Sequence, residues 1–530
     1  MALPAPVDQL FVATEVNEWA LCASLLDHDP QRWHDLQEAL VVAAMEEAED
    51  RDVVIPPVLE ESAAMLRFER LAALEIRPRL TALLDVAAER KLQYILDDDT
   101  LTLGGGATGS DFGLTALPTV AAVPWSKIHS IPTAIVTGSN GKTTTVRLLA
   151  SCARAWGLKV AYSSTDGVFL DDELIEAGDY SGPAGARLAM RESRAQAAVL
   201  ETARGGILRR GIAISRPKVA VVTNVSSDHF GEYGIDDLEA LADVKLTVAS
   251  IVPPDGLLVL NGDDDLIRAK ANGLALRWGR CPPLGWFALD AQCPALREHR
   301  SRGGSTCGAH GGHLHLSQEG VESDLGSLAA MPLTVGERAI YNIANLAGAA
   351  LAAAALGIPP ATIAEVFATF GTDPADNMGR MMRFDYHGAR VLLDYAHNPE
   401  GLRGLLQVAD QLRTGDRKPG RLALVLGHAG NRQDIEIRHL AAVAAQFHPA
   451  LVVVKENETY LRGREPGEVP RIIRDALVEA GMAESALQIR MSEVEAATSA
   501  LEWLQPGDVL ALPIHSAPAR AAVLAILANS

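Results

Sequence analysis

The stretch Ala134-Ile-Val-Thr-Gly-Ser-Asn-Gly-Lys-Thr-Thr-Thr145 constrains this chain more than any other: an apolar run, a short glycine turn, then a lysine and three threonines. An apolar strand that turns on Gly138 and Gly141 into a helix aims its backbone N–H groups at one point, where an anion fits. Lys142 can reach the terminal phosphates of such an anion, and the Thr143 hydroxyl at the helix N-terminus can hold Mg²⁺. With Ser139, Asn140 and Thr144 completing the cradle, the sequence predicts a nucleoside triphosphate site. The alternative is a glycine turn that serves only the backbone.

The loop is unusual in length. The Gly-x-x-x-x-Gly-Lys spacing of the common phosphate loop would put its first glycine at position 136, which is Val136. The glycine that is present, Gly138, leaves a shorter loop before Gly141-Lys142.

A chain of 530 residues, 48% hydrophobic and 22% charged, has room for about three to four domains with ordinary cores. Five scattered cysteines, Cys22, Cys152, Cys281, Cys293 and Cys307, argue against a disulfide framework and for a reducing compartment. Residues 1–21 carry Asp8, Glu15 and Glu18 without a basic segment, unlike a secretory leader, and apolar runs such as 347–356 are too short to span a bilayer. A cytoplasmic protein with no membrane partner is expected. A net charge of −20 and a pI near 5.2 weigh against a nucleic-acid partner and slightly favour a cationic substrate.

Three regions follow from the patterning, and the fold class is α/β. Residues 1–125 show helical spacing at 31–49, 57–74 and 77–93, interrupted at Pro56-Pro57, which predicts a small, mainly helical domain. Residues 126–375 alternate strand and helix, with strands expected at 134–137, 159–163, 197–201, 219–224 and 257–261, the pattern of a parallel sheet covered on both faces. Within it, 280–328 is expected as a β or loop extension and 341–356 as a buried, alanine-rich helix. Residues 376–530 repeat the rhythm, with strands at 391–394, 422–426, 451–455 and 509–513 and helices at 399–413, 467–480 and 517–528. This second unit is Rossmann-like but lacks Gly-x-Gly-x-x-Gly, so dinucleotide binding is not supported.

Further polar residues stand where the strands of such a sheet present ligands. Glu201 ends a buried run and suits Mg²⁺, although strand-end carboxylates are common. Asn224, Asp228 and His229 end another. Lys245 lies in a helical pattern, where solvent exposure is the default. The loose cluster Cys281, Cys293, Cys307, His310, His313 and His315 lacks a Cys-x-x-Cys pair and is a poor zinc signature, which leaves a metal-binding module as a competing reading.

Taken together, the shortened loop, Glu201, Asn224 to His229, Lys245, Tyr341-Asn-Ile-Ala-Asn345, Asn377-Met-Gly-Arg-Met381 and Asp394-Tyr-Ala-His-Asn-Pro399 resemble, in order and spacing, the motifs of the Mur ligase superfamily over about residues 127–530. The resemblance implies a Mur ligase-like central ATP-binding domain and a Rossmann-like C-terminal domain. It implies that Lys142, His229 and Lys245 are catalytic, that Arg380 meets the ATP phosphates and Asp394 the ribose, and that Asn342 and Asn345 lie near the adenine. It also implies two Mg²⁺ ions, with Thr143, Glu201, His229 and Lys245, the last as a carbamate formed with CO₂, around them. The activity implied is an ATP-dependent ligase that joins a carboxylate acceptor to an amino acid through an acyl phosphate. A regulatory or scaffold protein that keeps the fold without transfer is the alternative.

Within the superfamily, Thr165-Asp-Gly167, Gly178-Asp-Tyr-Ser-Gly-Pro183, Leu200-Glu-Thr-Ala-Arg-Gly-Gly-Ile-Leu-Arg209 and Lys455-Glu-Asn-Glu-Thr-Tyr-Leu-Arg-Gly-Arg464 are similar to the cyanophycin synthetase branch, which adds arginine to an aspartate polymer. This similarity implies substrate contacts at Thr165, Asp166, Ser181, Arg204, Arg209, His397, Asn398, Arg432, Asn457, Arg462 and Arg464. Glu456 and Glu458 would meet a basic side chain, unless they belong to a solvated loop. Gly427-His-Ala-Gly-Asn-Arg432 departs from the usual Gly-Asp-Arg arrangement, and 125 leading residues are too few for that branch's ATP-grasp unit. The leading region also does not resemble a uridine-nucleotide domain; docking of a partner enzyme, homo-oligomerisation or acceptor binding are its expected uses.

Overall fold

The structure is a computed structural model that describes residues 77–227, 234–235, 237–414, 419–457 and 460–528. The helices expected at 31–49 and 57–74, and Cys22, Asp228, His229 and Glu458, lie outside these residues. The chain divides into two compact units: one runs to His129 apart from residues 105–109, and the other holds residues 105–109 and everything from Ser130 onward.

In the first unit, Pro78 opens a helix, Pro78–Glu89, at a position where its missing N–H loses no helical hydrogen bond. Leu80, Leu83 and Ala87 form its buried face and join a cluster with Leu101, Leu103 and Leu114. An antiparallel sheet supplies the rest, with β1 (Tyr94–Leu96), β2 (Thr100–Leu103) and β3 (Ser110–Gly113) in that order. The described part of the leading region is therefore mixed rather than mainly helical, because the Leu101-Thr-Leu103 alternation recruits two short neighbours.

The second unit is built on two sheets. The larger has eleven strands: β4 (Thr133–Thr137), β5 (Val160–Ser164), β6 (Gly167–Leu170), β7 (Glu173–Ala177), β8 (Ala197–Glu201), β9 (Val219–Val222), β10 (Leu257–Asn261), β11 (Leu284–Asp290), β12 (Ser305–His310), β13 (His313–Gln318) and β14 (Val321–Ser327). Their spatial order is β14-β13-β12-β11-β10-β9-β4-β8-β5-β6-β7, parallel from β12 through β5 and antiparallel at both ends. The residues of β4, β8 and β9 are all buried, as continuous apolar runs covered on both faces require. The helices Lys142–Ala155 and Ile340–Ala355 share one core through Val146, Leu149, Ala150, Leu346, Ala347 and Ala350. The extension at 280–328 is largely β, with one helix, Pro294–Ser301.

The smaller sheet comprises β15 (Met382–Tyr386), β16 (Ala389–Asp394), β17 (Leu422–Leu426), β18 (Leu451–Lys455), β19 (Leu487–Arg490) and β20 (Val509–Pro513), ordered β15-β16-β20-β17-β18-β19. All but β15 run parallel. Helices Pro399–Thr414, Asp434–Ala445 and Glu468–Glu479 share one core of this domain, and Glu493–Trp503 and Ala517–Ala528 the other.

Candidate active site

β4 delivers the chain to Gly138, whose φ is +144° and where a Cβ would lie 1.8 Å from Thr223 Oγ1. Gly141, at φ +83°, precedes the helix Lys142–Ala155, and a Cβ there would lie 2.1 Å from Asn345 Oδ1. Both positions exclude side chains by backbone and by space. The segment after β9 braces the loop: Ser139 N donates to Asn224 O (2.9 Å), Asn140 N to Asn224 Oδ1 (2.9 Å), and Thr223 Oγ1 to Asn140 O (2.6 Å). The first helical turn beyond it has N–H groups without intrahelical partners. Lys142 Nζ rests against Gly138 O and Ser139 O, 3.0 Å from each. Thr144, in the same turn, accepts from Asn377 Nδ2 (3.3 Å).

Thr143 Oγ1 donates to Glu201 Oε2 (2.8 Å) and lies 3.3 Å from Thr165 Oγ1. Glu201 is 1% exposed, and its Oε1 finds no hydrogen-bond partner among the described residues. Burial raises the pKa of this carboxyl against the pull of Lys142. A buried carboxylate with one bare oxygen beside a hydroxyl fits a hard divalent cation, so these residues suit Mg²⁺. Lys245 ends the helix Leu238–Lys245, which Asp237 caps through Ala240 N (2.7 Å). It is 2% exposed and opens onto the same cavity as Lys142 and Glu201 rather than to bulk solvent.

The linker into the C-terminal domain supplies Arg380, which donates to Thr165 Oγ1 (3.1 Å) and lies 4.2 Å from the centroid of the Tyr395 ring. Asp394, at the end of β16, accepts from Met381 N (2.7 Å) and Ala396 N (2.8 Å); burial raises its pKa, partly offset by Arg380 and these N–H groups. Asn345 Nδ2 donates to Asn342 Oδ1 (3.0 Å) and Asn342 Nδ2 to Leu333 O (3.0 Å), a buried relay that ends against Gly141. A cavity of about 240 Å³, lined in part by Leu333, Gly371, Asp373, Asn377 and Arg380, adjoins this linker.

A larger cleft of about 710 Å³ lies between the two α/β domains of this unit. Thr165, Ser181, Arg204, Arg209, His397, Arg432, Asn457 and Arg462 all line it. Asp166, Asn398 and Arg464 are engaged otherwise. Asp166 pairs with Arg147 and Arg520, and Asn398 Nδ2 donates to Asn140 Oδ1 (2.9 Å). Arg464 donates to Gly430 O (2.9 Å), Arg432 O (2.7 Å), Asp434 and Glu468, which fixes the loop that carries Arg432. Glu456 turns to the backbone, accepting from Asn457 N (3.1 Å) and Gly467 N (2.8 Å).

The cleft also contains residues given no role from the sequence: Asp179, Tyr395 and His428, which lie within the quoted motifs, and Arg210 and His515, which lie outside them. His515 follows the buried strand β20, the kind of edge that would have flagged it. Its Nε2 lies 3.1 Å from Ala396 O, and burial together with Lys455 lowers its pKa to about 3. Lys455, fully buried, pairs with Glu493 and donates to Pro513 O (2.7 Å). On the extension of the central sheet, His313 and His315 face Asp324 and Glu322, and burial raises the pKa of the Cys307 thiol. No group of three or more His, Cys, Asp or Glu among the described residues is placed to hold a metal. No described helix is long and apolar enough to cross a membrane.

Comparison with known proteins bears on the family and the fold. A family profile described as the Mur ligase middle domain matches residues 136–279, and one described as the Mur ligase, glutamate ligase domain matches 379–512. Cyanophycin synthetase from Synechocystis sp. is 34% identical over 384 residues, 72% of this chain and 42% of that protein, so the chain spans less than half of that relative's length. UDP-N-acetylmuramoyl-L-alanyl-D-glutamate--2,6-diaminopimelate ligase from Chlorobaculum tepidum is 28% identical over 397 residues, 71% of this chain and 70% of that one. E. coli FolC in complex with ADP shares the fold, with a TM-score of 0.54 at 18% identity over 75% of this chain and 89% of that one. With one profile on the phosphate-loop domain and the other on the opposing wall of the cleft, the chain belongs to the Mur ligase superfamily.

Proposed function

We propose that the protein joins a carboxylate to an amine at the expense of ATP. The observation that carries this reading is the bare Glu201 oxygen beside Thr143 and Lys142, at the floor of a cleft whose far wall belongs to a second α/β domain. A phosphoryl-transfer seat and a separate substrate wall then face each other. ATP would lie with its phosphates on Gly138 to Thr144 and Arg380, its ribose at Asp394, and its base towards the cavity beside Asn377.

An acceptor carboxylate oxygen bonds to the γ-phosphorus as the bond to the bridging oxygen of ADP breaks, giving an acyl phosphate. Lys142 and Arg380 stabilise the charge that spreads over the transferring group. The amine nitrogen then attacks the acyl carbon, inorganic phosphate leaves and the amine loses a proton. Mg²⁺ held by Thr143 and Glu201, with His229 and a carbamate on Lys245 for a second ion, would neutralise phosphate charge. Enclosure between the two domains keeps water from the acyl phosphate.

The cluster of Arg204, Arg209 and Arg210 suits an acceptor with several carboxylates. On the opposite wall, Arg432, Asn457 and Arg462 suit the carboxylate of an incoming amino acid. Preference for a basic amino acid rests on likeness to cyanophycin synthetase and on Glu458, since both Glu456 oxygens are bound to backbone.

The test is ADP release with ATP, Mg²⁺, candidate carboxylates and a panel of amino acids, with the mass of the product. Amine-dependent ADP with a matching adduct is expected. ADP without an adduct, or AMP in its place, overturns the reading.

A further inference from the structure

We infer that Arg520 is a positioning residue that latches the C-terminal domain onto the phosphate-loop domain through Asp166, and so sets Arg380 against the phosphate seat. Only the purpose of that closure rests on the ligase reading.

Asp166 occupies the turn between β5 and β6, where its N–H donates to Ser164 Oγ (3.2 Å). One carboxylate oxygen accepts from Arg147 (2.7 Å), on the phosphate-loop helix, and the other accepts from Arg520, on the last helix, Ala517–Ala528. The three side chains are nearly shut off from water, at 7% exposure for each arginine and 12% for the acid. Arg147 also donates to Met378 O (2.8 Å), which ties the same cluster to the linker between the domains. Gly379 makes room for the incoming guanidinium: its φ is +74°, and a Cβ there would lie 2.4 Å from Arg520 Nη1.

That Nη1 has no hydrogen-bond partner among the described residues, and the ion pair Arg520 makes among them is with Asp166. A charge enclosed at a domain interface is tolerated only where it meets its partner, so this pairing selects one docked arrangement rather than adding bulk adhesion. Arg147 and Asp166 both belong to the phosphate-loop domain and stay paired when the domains part, whereas Arg520 is the member that must arrive. The neighbour of Asp166 is Thr165, which accepts from Arg380. Contact therefore runs from the last helix, through Asp166 and Thr165, to the arginine at the phosphate seat.

The test uses the full chain with labels introduced at Glu176 and Glu479 through unnatural amino acids, leaving the native cysteines in place. Interdomain distances are recorded for wild type, Arg520→Gln and Arg520→Lys, with and without Mg²⁺ and a non-hydrolysable ATP analogue. The latch predicts a narrow distribution in wild type, a broad and longer one in Arg520→Gln without nucleotide, and partial recovery in Arg520→Lys, at an unchanged thermal midpoint. In turnover, kcat of Arg520→Gln should fall about tenfold or more with a smaller change in the KM for ATP. Wild-type distances in Arg520→Gln overturn the latch, as does any loss that simply follows a lowered thermal midpoint. Failure of the wild type to bind the analogue would instead end the ligase reading, while the nucleotide-free distances still decide the latch.

Discussion

Asn398 in the C-terminal domain donates a hydrogen bond of 2.9 Å to Oδ1 of Asn140 in the phosphate loop. The C-terminal domain therefore touches the phosphate loop directly. Asn398→Ala should lower kcat/KM for ATP by about 1–2 kcal/mol, a 5- to 30-fold loss, measured by steady-state ADP release. Because Asn398 Oδ1 also accepts from Gly401 N (2.8 Å), Asn398→Ser, which keeps an oxygen there, separates the bridge from the helix start.

Glu201 makes the opposite kind of demand. Its raised pKa means that the folded protein holds the proton more tightly than the unfolded chain, so stability is lost as pH rises through that value and the charge is unfavourable at neutral pH without a cation. Glu201→Gln should raise the thermal midpoint of the metal-free protein by a few degrees, and Mg²⁺ should raise the midpoint of the wild type but not that of the variant. Turnover should fall by about 100-fold or more. Calorimetry with and without Mg²⁺ checks the first pair of outcomes.

Two glycines separate crowding from strain. Gly138→Ala would put a methyl 1.8 Å from Thr223 Oγ1 in addition to its positive φ, whereas Gly279, at φ +68° and ψ −2°, has nothing within 4 Å of the same methyl. Urea denaturation should show a loss of about 2–4 kcal/mol for Gly138→Ala and about 1 kcal/mol for Gly279→Ala.

His515 should make the C-terminal domain acid-sensitive. Its pKa of about 3 in the fold lies below the ordinary value, so protonation favours the unfolded chain. Stability is complete above about pH 6.5 and falls progressively as pH drops towards 3. Burial alone would raise the pKa of Glu493, but Lys455 outweighs it and holds the carboxyl at about 2, so its contribution is lost only below about pH 4.5. Urea titrations at pH 7 and pH 5 should show a smaller difference in His515→Gln than in wild type.

The parallel interior of both sheets was legible because strands buried on both faces leave unbroken apolar runs: Ala197–Glu201, Leu422–Leu426, Leu451–Lys455 and Val509–Pro513 were expected over these residues. The edges were not. β7 reads Glu-Leu-Ile-Glu-Ala and is largely exposed, and β19 is only half-buried, so neither leaves a hydrophobic signature. Helices Asp434–Ala445 and Glu493–Trp503 are not among the helices expected from the sequence, although Pro449 and Pro506-Gly507 follow their ends and Ser492 with Glu495 offers a start signal. The phosphate loop is a local object and could be read directly. The pairing of Asp166 with Arg520 joins positions 354 residues apart, and no spacing announces it. Glu456 illustrates the same gap, since its commitment to Gly467 N depends on how the following turn folds back.

Lys142 shows how the seat manages its own charge. With two carbonyl oxygens of its loop at 3.0 Å, the ammonium is solvated by protein before any nucleotide arrives. An arriving terminal phosphate must displace neutral acceptors, which it can do because its negative charge adds Coulombic attraction that a carbonyl dipole lacks. A nucleotide too short to reach Nζ offers nothing to displace them with. The ammonium thus keeps its full positive charge while dipoles of its own loop hold it in place, so a negatively charged group is what the side chain is poised to turn towards.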